Sequence, residues 1–297
     1  MDCPYKYHLH YNEGLRRKTV GRPLSFGKDF HELLEHRGDD KKISEILARV
    51  KDEYYGTDSI TQQALGENYP TDLATIFEDY TNHWKNDTKP DTTELEFLLP
   101  LGKYKGELIN FHGFIDGYYT KERMIEEHKT FSRKPDSYKL FMNVQTNLYA
   151  KAIHLLDGVY PKVIKWDYIK STPAQYPVWL EKSKRFSISK SENITEASYA
   201  RACKEHGVEP VDSAIYAGNT DNFFMRREVE IYPENVERVF SDFKDSIKVM
   251  LNAQKSGYKS KNIGQNCSWC DYRDICMAEF SGADTIEIIN KDFKREE

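Results

Sequence analysis

The 297-residue sequence has no apolar run long enough to span a bilayer, and at 31% charged residues its average is strongly polar. That argues against a transmembrane helix and for a soluble protein of the cytoplasm, with no membrane partner. There is no internal repeat and no long low-complexity tract, so a repeat architecture is not expected. Cysteine is scarce, five residues in all, and no signal peptide precedes Cys3, so a secreted disulfide framework is not expected either. Basic residues are not in excess: 43 Lys and Arg stand against 48 Asp and Glu, a formal net charge of −5, and bulk charge does not advertise a nucleic-acid partner. The length suits one elaborated domain over residues 1–297 better than two equal ones.

What is present is concentrated between Asp116 and Tyr149. In HGFIDGYY, His112, Phe114, Asp116 and Tyr118 alternate with Gly113, Ile115, Gly117 and Tyr119, the period of a two-faced strand. After a turn near Lys121–Arg123, the run MIEEHKT reads as a second strand, with Ile125, Glu127 and Lys129 on one face and Met124, Glu126 and His128 on the other. If the two strands pair as a hairpin, Asp116 lies beside Glu127. Two close carboxylates are costly unless a cation neutralises them, and Mg2+ or Mn2+ is the natural occupant. Such an ion polarises a phosphate and activates a water, while Lys129 orients that water or offsets charge developing in the transition state. Solvated strand residues can present the same pattern, so other residues must support this chemistry.

A helix follows on which Tyr138, Phe141, Met142, Gln145, Leu148, Tyr149, Ala152 and Leu156 recur at helical spacing. Gln145 and Tyr149, four apart, share a face and would hold a nucleotide beside a metal site. Upstream, in SFGKDFHELLE, Ser25 is placed to cap a helix carrying Phe30, Leu33 and Leu34, and His31 on that helix is a candidate further ligand.

The order GxxxH at Gly27–His31, GxxD at Gly113–Asp116, ExK at Glu127–Lys129 and QxxxY at Gln145–Tyr149 resembles the PD-(D/E)xK nuclease superfamily over most of the chain. More narrowly, it resembles the RecB-like branch, which includes nuclease domains of recombination helicases, CRISPR-associated exonucleases and phage exonucleases. The resemblance implies a restriction-endonuclease-like mixed central sheet flanked by helices. It also implies metal ligation by His31, Asp116, Glu127 and the His128 backbone carbonyl, with Lys129 catalytic and Gln145 and Tyr149 contacting substrate. Ile115 stands where the superfamily name has proline, a substitution many members of this branch share.

Four cysteines form a second pattern: Cys3 near the start and Cys267, Cys270 and Cys276 in CSWCDYRDIC. CxxC with a third cysteine close behind is metal-ligand spacing, and thiolates favour zinc or an iron-sulfur cluster. Cys203 stands apart in an expected helix. By resemblance the centre is a [4Fe-4S] cluster, a clasp between residues 1–24 and 260–280, with Trp269 and Tyr272 as candidate shields.

Basic residues cluster at Lys162, Lys165, Lys170, Lys182, Lys184, Arg185 and Lys190, at Arg16, Arg17, Lys18 and Arg22, and at Lys255, Lys259 and Lys261. The first group, interleaved with Tyr168, Tyr176, Trp179 and Phe186, is a candidate track for a phosphate backbone with stacked bases. Helices are expected at 41–55, 71–84, 195–206 and 233–254, and strands at 94–101, 160–170 and 223–231. These make an α/β core with a loop or substrate-facing insertion at 171–193.

The reading is a metal-dependent DNA exonuclease acting on DNA with a free end, in recombination, repair, phage DNA processing or CRISPR adaptation in a bacterial, archaeal or phage-infected cell. The alternatives are an endonuclease, a nuclease subunit of a helicase complex, or a non-cleaving DNA-binding iron-sulfur protein. A homo-oligomer, such as a ring encircling DNA, or a helicase, CRISPR or recombination partner is compatible with the same residues.

Overall fold

Two long strands, β1 (Thr92–Tyr104) and β2 (Glu107–Tyr119), form a hairpin closed by Lys105 and Gly106. Both turn residues have positive φ, 49° and 89°, the two-residue turn whose twist matches its flanking strands. The computed structural model describes residues 3–134, 136, 140–187 and 191–296. Strand β3 (Met124–Phe131) pairs antiparallel with β2, β4 (Val163–Lys170) pairs parallel with β3, and β5 (Phe224–Glu230) pairs antiparallel with β4. The result is a five-stranded mixed sheet in sequential order.

Helices flank the sheet. Residues of α1 (Arg22–Glu35), α2 (Asp40–Gly56) and α3 (Tyr69–His83) pack with Ile169 and Phe224 in one apolar cluster. The parallel crossover from β3 to β4 is carried by α4 (Val144–Asp157), since parallel neighbours cannot be joined by a tight turn. With α6 (Pro233–Lys255), α4 packs over a second cluster that includes Ile115, Tyr118, Ile125, Ile164 and Trp166. Between β4 and β5 the chain makes a two-residue ribbon, Trp179–Leu180 with Arg185–Phe186, then α5 (Glu196–Glu205), whose N-terminus is a capping box of Thr195 and Ser198. This insertion has its own small core, including Phe186, Tyr199 and buried Cys203, and Arg201 ties it to Asp79 of α3. The α/β class is as expected, and the helices and strands read from periodicity occur within a few residues of their expected limits.

Three local readings are corrected. Ser25 is not a cap: α1 begins at Arg22 after Gly21, with Pro in its first turn. Helix α4 begins at Val144, because Asn143 accepts from the Thr146 N–H at 3.2 Å. Phe141 and Met142 therefore lie outside it and are exposed, while Tyr138 lies outside the described residues. The alternation in β2 also fails. Ile115 and Tyr118, three apart, enter the same apolar cluster, so the period breaks at Asp116–Gly117.

The two ends of the chain meet. Leu15–Arg17 pairs antiparallel with Phe293–Arg295, and Tyr5, Leu9, Leu15, Tyr272, Ile275 and Phe293 make a small joint core. Tyr272 donates its hydroxyl to the Leu15 carbonyl at 2.7 Å, and Arg17 pairs with Asp274 of α7 (Arg273–Ser281) at 2.9 Å.

Candidate functional site

The β2–β3 ladder runs from Tyr119 opposite Met124 to Gly117 opposite Glu126. Beyond that pair the main-chain N–H of His128 donates to a side chain, Asp116 Oδ2, at 2.7 Å. From α1, His31 reaches the same spot: Nδ1 lies 3.5 Å from Asp116 Oδ1, and Nε2 lies 3.1 Å from the His128 carbonyl oxygen. On the α4 side, Glu127 Oε1 receives the Lys129 ammonium and, at 2.9 Å, the Gln145 side-chain amide. Gln145 also donates to the Tyr149 hydroxyl at 2.8 Å. His31, Asp116, Glu127, His128, Lys129, Gln145 and Tyr149 thus gather at one place, although they come from one helix, two strands and a second helix.

The electrostatics of this group are those of a site short of positive charge. Glu127 is 1% exposed. Burial, then the charge of Asp116, raises its pKa to about 7, against the opposing pull of Lys129. Asp116 is held below the usual carboxylate range: burial would raise it, but the hydrogen bond and charge of His31 and the nearby His128 outweigh that. Glu127 Oε2 is buried and has no hydrogen-bond partner among the described residues. Such an orphaned acceptor signals a missing partner. Carboxylate oxygens, a carbonyl and one imidazole are a donor set that suits Mg2+ or Mn2+.

One residue of the group carries no signal in the sequence. Glu94 stands near the start of β1 with φ +47°, and its pairing neighbours Thr93–Gly117 and Leu95–Ile115 place it across from Asp116. Ligand atoms of His31, Glu94 and Asp116 all lie within 4.8 Å of one another. Its pKa is raised by burial and then by Asp116. A lone carboxylate in TTELEF looks like any solvated strand residue until the partner strand is in place.

Behind β3 lies a second polar network, also not anticipated. His128 Nδ1 is 3.0 Å from Asp167 Oδ2, and Asp167 also meets the Tyr80 hydroxyl and, at 3.3 Å, Arg226. Burial lowers the His128 pKa, but the hydrogen bond and charge of Asp167 win and raise it to about 9. Asp167 is fully buried, and its pKa is lowered despite that burial by His128 and Arg226. The signal was available: an aspartate inside the otherwise buried run VIKWDYIK demands partners.

The four patterned cysteines line one cavity of about 360 Å3, together with Tyr5 and Tyr272. All are free thiols, and burial pushes the Cys276 thiol up to about 11. Cys203 lies in the separate core of the insertion. Of the two candidate shields, Tyr272 is buried at the cavity, whereas Trp269 is 75% exposed and does not line it.

Parts of the basic clusters are corrected. Lys165 is buried and pairs with Glu126 at 2.8 Å; Arg16, Arg17 and Arg22 pair with Glu296, Asp274 and Asp72; Lys255 and Lys261 pair with Glu107 and Glu279. Tyr168 and Phe186 are core residues, Trp179 packs on Phe186, and Tyr176 bonds to Glu205. These residues hold segments of the fold together, and Tyr168 and Phe186 are buried away from any stacked base, whereas Lys162, Lys182, Lys184 and Arg185 are exposed. Lys190 lies outside the described residues.

A mixed sheet flanked by helices, with carboxylates and a lysine on adjoining strands, is a nuclease architecture. The chain belongs to the PD-(D/E)XK nuclease superfamily, whose family model matches residues 1–277. In fold it is similar to a solved structure from Eubacterium rectale named "Putative exonuclease", which matches 91% of this chain and 79% of its own at 9% identity, with a TM-score of 0.50. A second solved structure, SSO0001, matches 91% of this chain and 92% of its own at 12% identity, with a TM-score of 0.35. No curated protein matches the sequence.

Proposed function

We propose that this protein is a metal-dependent DNA exonuclease of the RecB-like branch, built as one nuclease domain over residues 1–297 and carrying a structural [4Fe-4S] cluster. The observation that carries the reading is the convergence of His31, Asp116, Glu127 and the His128 carbonyl beside Lys129. Those four groups would hold a Mg2+ or Mn2+ ion, which would supply Lewis acidity and neutralise charge on the scissile phosphate. Lys129 offsets the negative charge that develops on the phosphate as water attacks. Gln145 fixes the Glu127 carboxylate from α4, and with Tyr149 it presents polar groups to the nucleotide. Water is the nucleophile, and no covalent intermediate is required.

The cluster is supported by the gathering of Cys3, Cys267, Cys270 and Cys276 on one cavity. Four thiolates are the ligand set of a tetrahedral zinc or of an iron-sulfur cluster, and the resemblance to the iron-sulfur exonuclease branch favours the cluster. Its role is to strengthen the joint between the chain's two ends.

The test is cleavage of end-labelled linear and covalently closed circular DNA with Mn2+. An exonuclease degrades the linear substrate and spares the circle. Cleavage of the circle makes the protein an endonuclease, and cleavage of neither sinks the catalytic reading.

A further inference from the structure

We propose that Glu94 is a ligand of the divalent cation, joining His31 and Asp116 in a three-donor set on the β1 side of the site. The inference rests on the reading of this site as a cation centre and adds to it a residue outside the superfamily motif. Compensation of the three carboxylates is uneven. Glu127 has Lys129 and Gln145, and Asp116 has His31 and the His128 N–H. Glu94 accepts no hydrogen bond and pairs with no cation among the described residues, although its carboxylate is within 4.8 Å of both His31 and Asp116. A half-buried carboxylate beside a second one keeps its charge where a cation compensates the pair and otherwise takes up a proton.

On the neighbouring strand Glu127 Oε2 is also buried without a hydrogen-bond partner among the described residues, although it is not one of the three donors grouped here. There is also room on the β1 side. A cavity of about 40 Å3 is lined by His31, Glu35, Glu94, Asp116 and His128, larger than the roughly 10–15 Å3 that one water needs. Glu35 shares this cavity but not the donor group, so its charge is close while its oxygens are not ligands.

Calorimetric titration of metal-free protein with Mn2+, together with the unfolding temperature with and without Mn2+, tests the assignment. Glu94→Gln is expected to weaken Mn2+ binding by at least about tenfold and to shrink the Mn2+-induced rise in unfolding temperature, whereas Glu35→Gln shifts affinity by less than about threefold. Glu94→Asp keeps the charge and suits a positive φ, but it withdraws the carboxylate by one methylene, so it too is expected to lose affinity. Wild-type affinity in Glu94→Gln overturns the proposal. Equal losses in Glu94→Gln and Glu35→Gln, with affinity retained in Glu94→Asp, also overturn it by assigning the effect to distant charge. A wild type that binds no Mn2+ overturns the cation centre itself, a result distinct from a wild type that binds and a Glu94→Gln variant that binds equally well.

Discussion

His128 donates its main-chain N–H to Asp116 Oδ2 across 2.7 Å, two residues past the last β2–β3 pair, Gly117–Glu126. The contact turns a ladder position into a site position. It steadies Asp116, exposes the His128 carbonyl to His31, and leaves the His128 ring to be gripped from behind by Asp167. The catalytic candidates and the buried Asp167 network are therefore joined through one residue.

Lys129→Ala is expected to reduce DNA cleavage by about 10²–10³-fold, the usual cost of losing one preorganised cationic or hydrogen-bonding group in a transition state. Mn2+ binding should survive, because Lys129 is not a donor to the ion. Gel assay of end-labelled DNA beside a Mn2+ titration checks both, and undiminished cleavage removes Lys129 from the chemistry.

Gln145→Ala takes one of two partners from Glu127 Oε1, while Tyr149→Phe removes only a hydroxyl. The first is expected to lower kcat by roughly 10- to 150-fold, as for a hydrogen bond to a charged group worth about 1.5–3 kcal/mol. The second should act mainly on KM. Steady-state kinetics on a short linear duplex separate the two.

Asp167→Asn strips the half-buried His128 and Arg226 of their shared, fully buried carboxylate. Breaking a buried pair by removing one partner costs about 3–5 kcal/mol, to be read from denaturant unfolding. A loss below about 1 kcal/mol would show that the network contributes little to stability.

Two groups pull the stability of the metal-free protein down as pH rises from about 5 to 9, against the opposite pull of His10 and His83, whose pKa values burial lowers. Glu127 has a folded pKa near 7 against an ordinary 4.5, so the fold holds the extra proton between those values and is penalised once it leaves. His128, raised from 6.5 to about 9, stabilises fully below its ordinary pKa, and that contribution is lost as pH climbs through 9. Unfolding temperatures against pH should show the lower half of the decline vanish in Glu127→Gln and shrink in wild type with Mn2+. An unchanged profile in both cases rejects the assignment.

Anaerobically purified protein should be brown, with Cys276→Ser losing colour and stability and Cys203→Ser retaining both. Colourless protein with stoichiometric zinc would replace the iron-sulfur assignment and leave the nuclease reading intact.

Much of this was legible beforehand because its signals are local. Thr195 caps α5, and the apolar spacings of α2, α3 and α6 mark helices whichever way they pack. The ExK spacing put Glu127 and Lys129 on one face, where they now pair. Glu94 was not legible, since its meaning comes from lying across from Asp116. Some members of the basic clusters misled because charge in a sequence does not disclose its partner: Lys165 meets Glu126 inside the protein, and Arg17 meets Asp274 from the far end of the chain.

The sequence by itself determined the elements, the motif residues and the four cysteines, because caps, periodicity and spacing act within a few turns of chain. Only the tertiary structure decided that β2 breaks its alternation at Asp116, that the His128 N–H turns from the ladder to a carboxylate, and that Asp167 holds the histidine from behind. Those outcomes depend on burial and on which charges lie opposite one another, and both are set by residues distant along the chain.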